Sequence, residues 1–259
     1  MLRSAADIRA YFDEINAILD DSELARVSWF LNLGYVQIDG TPSRSPIQLP
    51  ERLVHKGAIQ LVLEVIGATD LDGADVLDAC CGRGGTATVL ARYFRIASLL
   101  GLDLSPRAIA FCQRRRLPGA RFIVGDFTHM PLRDRGFDRV LCIEPYLSQA
   151  LLDGFFAEAA RVLRPGGALL MALNLPAPLV PWCPAALAAH GLRVERDDDA
   201  TPNILAACER AAPGRRQLLG PIAERYRDEE LLFVPGTPGY EQLRRGELSY
   251  RIIRALRGA

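Results

Sequence analysis

A single lysine, Lys56, stands among 31 basic residues, and 31 acidic residues balance them. That scarcity removes lysine as a general source of base or amine nucleophile, and the missing basic excess leaves no field to gather nucleic acid. Histidine is scarce too, with three copies: His55, His129 and His190. His129 falls beside Asp126, whereas His55 and His190 fall on helical patterns and read as ordinary surface or core residues. The six cysteines contain no Cys-x-x-Cys spacing, so no zinc site and no other metal is expected. Cys80 and Cys81 are adjacent and could bridge only under strain, and the other four are scattered. All six read as reduced thiols. No apolar run reaches bilayer length and the first ten residues have no signal core, which predicts a cytoplasmic chain without a membrane partner.

What remains is an ordinary globular composition, 49% hydrophobic and 24% charged, over 259 residues. Ile8, Tyr11, Phe12, Ile15, Ile18 and Leu19 recur at helical spacing, so residues 5–31 read as helices. A Pro- and Ser-rich loop follows at Thr41–Pro50, then a helix over Glu51–Ile66. Apolar runs at Val76–Ala79, Leu99–Leu102, Phe122–Val124 and Ala168–Leu173 alternate with helices, which predicts a parallel sheet without a linker. Further helices are expected over Pro184–His190 and Thr201–Gly220, with strands at Leu192–Glu195 and Leu248–Leu256. The expected organisation is one domain over 1–259. It comprises an N-terminal helical lid (1–50), a core (51–200), an inserted helical cap (202–247) and a last strand (248–259).

The sharpest signal is Val76-Leu-Asp-Ala-Cys-Cys-Gly-Arg-Gly-Gly85, a buried strand running into a glycine-rich turn and a helix. Gly82 and Gly84 let a ligand approach the backbone. Asp103 closes the second apolar run, where a carboxylate can accept both hydroxyls of a ribose. Asp126-Phe127 closes the third, placed to bond an adenine amino group and cover its ring. Three successive carboxyl-end loops with such chemistry mark the crevice of an open parallel sheet, hence an adenosine-cofactor site. The glycine spacing also satisfies the dinucleotide fingerprint. Asp78 argues against that reading, because a carboxylate there would face a pyrophosphate but would suit an ammonium group.

VLDACCGRGG, LLGLDLS, FIVGDF, FDRVLCIEPY and RVLRPGGALLMAL together resemble, in order and spacing, the motif series of class I S-adenosylmethionine-dependent methyltransferases over residues 74–174. The resemblance implies a Rossmann-like α/β fold: a seven-stranded sheet with helices on both faces, an antiparallel last strand and helical lid segments. It implies S-adenosylmethionine as cofactor, S-adenosylhomocysteine as product, and Asp78, Cys80, Gly82, Gly84, Asp103, Leu104, Asp126 and Phe127 as cofactor-binding residues. Cys80 departs from the family, which usually has glycine there. Phe30–Tyr35, Asp199–Ile204 and the ending from Tyr240 to Tyr250 resemble secondary-metabolite methyltransferases acting on polyketide, glycolipid or terpenoid-like acceptors. Trp29, Tyr35, Tyr146 and Tyr240 are the expected acceptor walls, and antibiotic biosynthesis is one setting for such chemistry.

Transfer to a hydroxyl requires the acceptor proton to leave, usually to a His, Asp or Glu within hydrogen-bond reach. Many relatives carry a histidine four residues after Glu144, where this chain has Ser148. Glu144 is therefore the expected base or acceptor-orienting group, with Tyr146 packing on the acceptor. Glu144-Pro145-Tyr146 also resembles the Asn/Asp-Pro-Pro-aromatic motif of amino-group methyltransferases, less its second proline. The missing histidine leaves a second function open: a cofactor-binding protein that performs a pericyclase or decarboxylase step on a natural product. The oligomeric state stays open, a homodimer among the options.

Overall fold

The structure is a computed structural model that describes residues 5–21, 28–145, 148–226 and 232–258. Alternation along the strands decides the architecture, because successive side chains of a strand leave on opposite faces. In β1 (Asp75–Asp78) Val76 joins one apolar cluster and Leu77 the other. In β4 (Phe137–Ile143) Leu141 faces the first cluster, while Val140 and Cys142 face the second. β5 (Leu163–Pro176) repeats this with Leu170 and Ala172 against Leu169, Met171 and Leu173. A strand buried on both faces must be covered by helices on both.

β2 (Ser98–Asp103), β3 (Ala120–Val124), β6 (Leu192–Asp199) and β7 (Leu248–Arg257) complete one seven-stranded sheet in the order β3-β2-β1-β4-β5-β7-β6. The ladders joining β3, β2, β1, β4 and β5 are parallel, and β7 runs antiparallel to both β5 and β6. One face is covered by α2 (Lys56–Ile66), α3 (Gly85–Tyr93), α4 (Pro106–Arg115), α7 (Thr201–Tyr226) and α8 (Pro238–Arg244). The other is covered by α5 (Gln149–Val162) and α6 (Trp182–Ala189). No helix among the described residues is long and apolar enough to cross a membrane.

Several boundaries differ from the sequence reading: residues 28–31, expected to be helical, are not, α6 starts at Trp182 rather than Pro184, and β6 runs on to Asp199 rather than ending at Glu195. The helix expected from Glu51 starts at Lys56, because Pro50–Lys56 closes two successive turns and His55 stands in the left-handed region at φ 60°. β5 begins at Leu163 rather than Ala168: Leu163 pairs with Phe137, and the ladder then shifts across Pro165-Gly166-Gly167 to Arg139 and Ala168. Proline lacks the ladder donor, so the irregularity falls where the sequence suggests a stop. α7 continues past Gly220 to Tyr226, and α8 was not expected at all.

α1 (Ala5–Asp21) is tied down chiefly by a buried side chain from the glycine-rich turn and by contacts to the start of α4. Arg83, 1% exposed, donates from Nε to the Ser28 carbonyl at 2.8 Å, from Nη1 to Asn16 Oδ1 at 3.1 Å and from Nη2 to Asp20 at 2.9 Å. Its guanidinium lies 3.7 Å from the centre of the Phe111 ring, on α4. Asp13, also on α1, accepts from Ser105 Oγ at 2.6 Å. Removing one partner of a buried pair usually costs about 3–5 kcal/mol, but Asp20 is partly exposed and can rehydrate, which lowers the expected cost to about 1–3 kcal/mol. Arg83→Met is therefore expected to lower the melting temperature and to speed amide exchange in residues 13–21. Unchanged exchange there would show that α1 is held by other contacts.

Candidate functional site

A cavity of about 1870 Å³ opens at the carboxyl ends of β1, β2 and β4. Its floor is the turn Ala79-Cys80-Cys81-Gly82-Arg83 with Asp103 and Leu104 from the end of β2. The turn exists because β1 must pass abruptly into α3. Gly82, at φ +48°, has no atom within 4 Å of where a Cβ would stand, so a side chain there would fill open space above the turn. A Cβ at Gly85 would lie 2.4 Å from the Phe30 ring, so only glycine lets the 28–30 segment rest on the start of α3.

Asp78 lies just beneath this floor, 1% exposed, with neither carboxylate oxygen hydrogen-bonded. Burial first, and the Asp103 charge second, push its carboxyl up to about 8. A buried carboxylate without a partner is costly and asks for a cationic one. Asp103 accepts the Gly82 N–H on Oδ2 at 2.8 Å and the Ser105 N–H on Oδ1 at 2.9 Å, so it holds the turn in place. Burial raises its carboxyl and these two bonds oppose the rise. Each oxygen keeps a lone pair, enough for the two hydroxyls of a ribose. Phe127 lines the cavity and packs edge-on against Phe155, ring centres 5.2 Å apart. Cys80 lines it too, its Sγ 3.4 Å from Cys142 Sγ; that contact and burial hold the thiol well above its usual range, so it acts as a neutral packing group. All six cysteines are free.

These residues fit S-adenosylmethionine: an unpartnered buried anion for the ammonium, acceptors for the ribose diol, open space over glycine, and an aromatic wall. Three expected cofactor residues do not line the cavity: Asp78, which lies directly behind the lining residue Ala79, and Asp126 and Gly84. The Asp126 Oδ1 takes the N–H and the hydroxyl of Thr128 at 2.8 and 2.7 Å, an Asx-type turn that engages one of its two oxygens. Gly84 also stays off the lining and serves instead as the left-handed N-cap of α3.

Above the floor the walls come from α1 (Ile8, Phe12, Ile15), residues 28–49, the start of α2, and α7 (Ala207, Ala211, Leu219). Trp29 and Tyr35 both line it. Burial, then the Glu64 charge, pushes the Tyr35 hydroxyl up to about 12. Tyr240 does not: it is 3% exposed, and its hydroxyl donates to Glu209 at 2.7 Å between α8 and α7, so the expected wall position is withdrawn. Tyr146 lies outside the described residues. His55, dismissed from the sequence as a helical residue, sits at the N-cap of α2, lines the cavity and stands 5.6 Å from the Phe30 ring. His190 pairs with Asp153 at 3.0 Å, away from the cavity.

Glu144 leaves β4 at φ +53° and lines the cavity. Its carboxylate accepts the Leu33 N–H at 3.0 and 3.1 Å and the Tyr250 hydroxyl at 2.7 Å on Oε1. Burial raises its carboxyl above the usual range, against these bonds and the Arg215 charge. A carboxylate has about four acceptor positions, so Oε2 keeps capacity for a proton. Tyr250 and Asn174, which face each other across β7 and β5, were not found from the sequence, although a polar residue ending the apolar run Ala168–Leu173 was a usable signal.

A methyltransferase-domain family matches residues 76–167. The chain is 33% identical to a fatty-acid O-methyltransferase of Mycolicibacterium smegmatis, covering 86% of this chain and 81% of that protein. It is 34% identical to a phthiotriol/phenolphthiotriol dimycocerosates methyltransferase of Mycobacterium tuberculosis, covering 86% and 83%. Among solved structures, the [4+2]-cyclase SpnF superposes with a TM-score of 0.68 at 20% identity, covering 100% of this chain and 98% of the cyclase. Geranyl diphosphate C-methyltransferase from Streptomyces coelicolor superposes with 0.62 at 19%, covering 98% and 97%. At those identities the structural likenesses speak for the fold alone.

Proposed function

The chain belongs to the class I S-adenosylmethionine-dependent methyltransferases, and from that premise we propose that it methylates a lipophilic small molecule on a hydroxyl oxygen. The observation that carries this reading is the apolar-walled cavity standing over the glycine-rich turn, far larger than one nucleotide cofactor needs. The names of the relatives support a lipophilic acceptor and oxygen as the atom: one names fatty acids, whose oxygen is a carboxyl oxygen, and the other a phthiotriol lipid, which carries hydroxyls. The cofactor, when bound, supplies an electrophilic methyl group and ends as a neutral thioether. Asp78 would receive its ammonium, and Asp103 its ribose diol. The described residues of the expected lid and cap, among them Phe12, Trp29, Tyr35, Ala211, Leu219 and Phe233, contribute the walls that keep water from the reacting oxygen.

Glu144 would take the acceptor proton on its carboxylate during the transfer and release it to solvent afterwards. Its fixed partners, Leu33 N–H and Tyr250 O–H, keep it aimed without exhausting its lone pairs. Charge falls during the transfer, so a dry apolar cavity does not oppose it. Because a [4+2]-cyclase shares the fold, a non-methylating pericyclic step is the competing reading; the methyltransferase names of the relatives at 33–34% identity weigh against it.

The test is incubation with methyl-labelled S-adenosylmethionine and a panel of long-chain alcohols, phenols, amines and carboxylic acids. Label is expected in the ether products of the lipophilic alcohols or phenols. Label confined to methyl esters would overturn the hydroxyl assignment, and label confined to N-methyl or C-methyl products would overturn the oxygen assignment.

A further inference from the structure

Seven buried side-chain atoms among the described residues lack a hydrogen-bond partner, and five belong to this site: both Asp78 oxygens, Ser28 Oγ, Asn32 Oδ1 and Asn174 Oδ1. Buried polar atoms are nearly always paired, so unpaired ones clustered at a cavity mark what its occupant must bring. Asp78 belongs to the cofactor. Asn32 and Asn174 line the cavity and lie around Glu144: Asn32 precedes Leu33, whose N–H bonds Glu144, and Asn174 faces Tyr250, whose hydroxyl bonds it.

The chemistry at this end is one-sided. The Glu144 carboxylate, Asn32 Oδ1 and Asn174 Oδ1 are all acceptors. The hydrogen-bonding capacity of the nearby cations is largely spent or turned to solvent. Both Arg215 Nη atoms are already donating, to the Leu232 and Asn32 carbonyls at 2.9 and 2.8 Å. Lys56 is held by Glu51 at 2.7 Å, and Arg210 is exposed. An occupant presenting a carboxylate would face the Glu144 charge and leave Asn32 Oδ1 and Asn174 Oδ1 unpaired, even where it takes the Asn174 Nδ2 donor. One presenting an O–H would satisfy an orphaned acceptor and direct its proton toward Glu144.

We propose that Asn174, with Asn32 and Glu144, is the specificity-determining group that selects hydroxyl over carboxylate acceptors. The proposal rests on reading this cavity as the acceptor site. Asn174 recognises the hydroxyl through its side-chain amide and orients it, while Glu144 takes the proton. A site built to hydrogen-bond a substrate hydroxyl rejects an analogue that cannot donate, because its own buried polar atoms are left unpaired.

The experiment uses the S-adenosylhomocysteine-loaded protein and three probes of equal chain length: dodecanol, dodecanoate and dodecyl methyl ether. Binding at pH 8 is followed by calorimetry and by tryptophan fluorescence, to which Trp29 on the cavity wall and Trp182 outside it both contribute. Dodecanol is expected to bind about 10–100-fold more tightly than dodecanoate or the ether. Asn174→Leu should weaken dodecanol about 10-fold and leave the ether unchanged. Asn174→Asp, close in size and still an acceptor, should keep dodecanol and reject dodecanoate further. Dodecanoate binding as tightly as dodecanol to the unaltered protein would overturn the proposal, as would equal weakening of all three probes by Asn174→Leu. If that variant does not fold, the unaltered protein and Asn174→Asp decide. Hydroxyl selection with no methyl transfer would leave the proposal standing and remove the methylation reading, whereas no binding of any probe would remove both.

Discussion

Asp78→Asn is expected to stabilise the ligand-free protein at pH 8 and, at the same time, to weaken S-adenosylhomocysteine binding about 100-fold. Asp78 has both oxygens buried without partners, and burial together with the Asp103 charge pushes its carboxyl to about 8. In the unfolded chain it titrates near the ordinary value of about 4. Between those values the unfolded state has lost a proton that the folded state retains, so stability falls as pH rises through the window. At about 1.4 kcal/mol per unit the loss is on the order of several kcal/mol by pH 8. Asparagine keeps the shape, never ionises and escapes that loss. The cofactor ammonium reverses the balance by pairing with the ionised carboxylate, and a charge-assisted buried contact of this kind is worth about 100-fold in affinity. Thermal melts from pH 5 to 8.5, with and without S-adenosylhomocysteine, check both halves. A variant that is less stable at pH 8 and binds as well as the parent would place the ammonium elsewhere.

Glu144→Gln is expected to lower turnover on hydroxyl acceptors by on the order of 10²–10⁴ while cofactor affinity stays nearly constant. Glutamine keeps one acceptor oxygen for Leu33 and Tyr250, so the segment it holds stays in place, but it cannot take a proton. Burial raises the Glu144 carboxyl above its usual range, so activity on hydroxyls should climb with pH as it ionises, on a limb displaced above ordinary carboxylates. The titratable and charged groups facing Glu144 from its neighbours include the Tyr250 hydroxyl, the Cys208 thiol and the Arg215 charge, and of these Tyr250 is bonded to it. Steady-state kinetics across pH, with a parallel binding titration, provide the measurement. A parallel fall in cofactor affinity would make Glu144 a cofactor residue, and no change in either would move the base elsewhere.

Much of the fold could be read from the chain because both faces of the sheet are buried. That burial makes β1, β4 and β5 continuous apolar runs, and the turns between them must use glycine and carboxylates. Asp78, Gly82, Asp103 and Phe127 all stand on those turns, so local pattern sufficed to single them out. What failed depends on pairings across long sequence separations. Arg83 reaches Asn16 and Asp20 on a helix that local periodicity cannot dock. Asn174 faces Tyr250 only through the register of an antiparallel strand that closes the sheet out of sequence order. His55 looked helical because the apolar spacing of α2 continues behind it, while turns after Pro50 put it on the cavity wall. Asp126 and Tyr240 went wrong the other way: each had the right chemistry, but a nearer partner, Thr128 or Glu209, had already claimed it.

The most direct measurement is a single turnover with trideuteromethyl S-adenosylmethionine, protein in excess over a lipophilic alcohol, and both products followed by mass spectrometry. One equivalent of S-adenosylhomocysteine should appear at the same rate as a trideuteromethyl ether of the acceptor, and Glu144→Gln should slow both together. An acceptor transformed while the labelled cofactor is recovered intact would contradict methyl transfer and leave the pericyclic reading in its place.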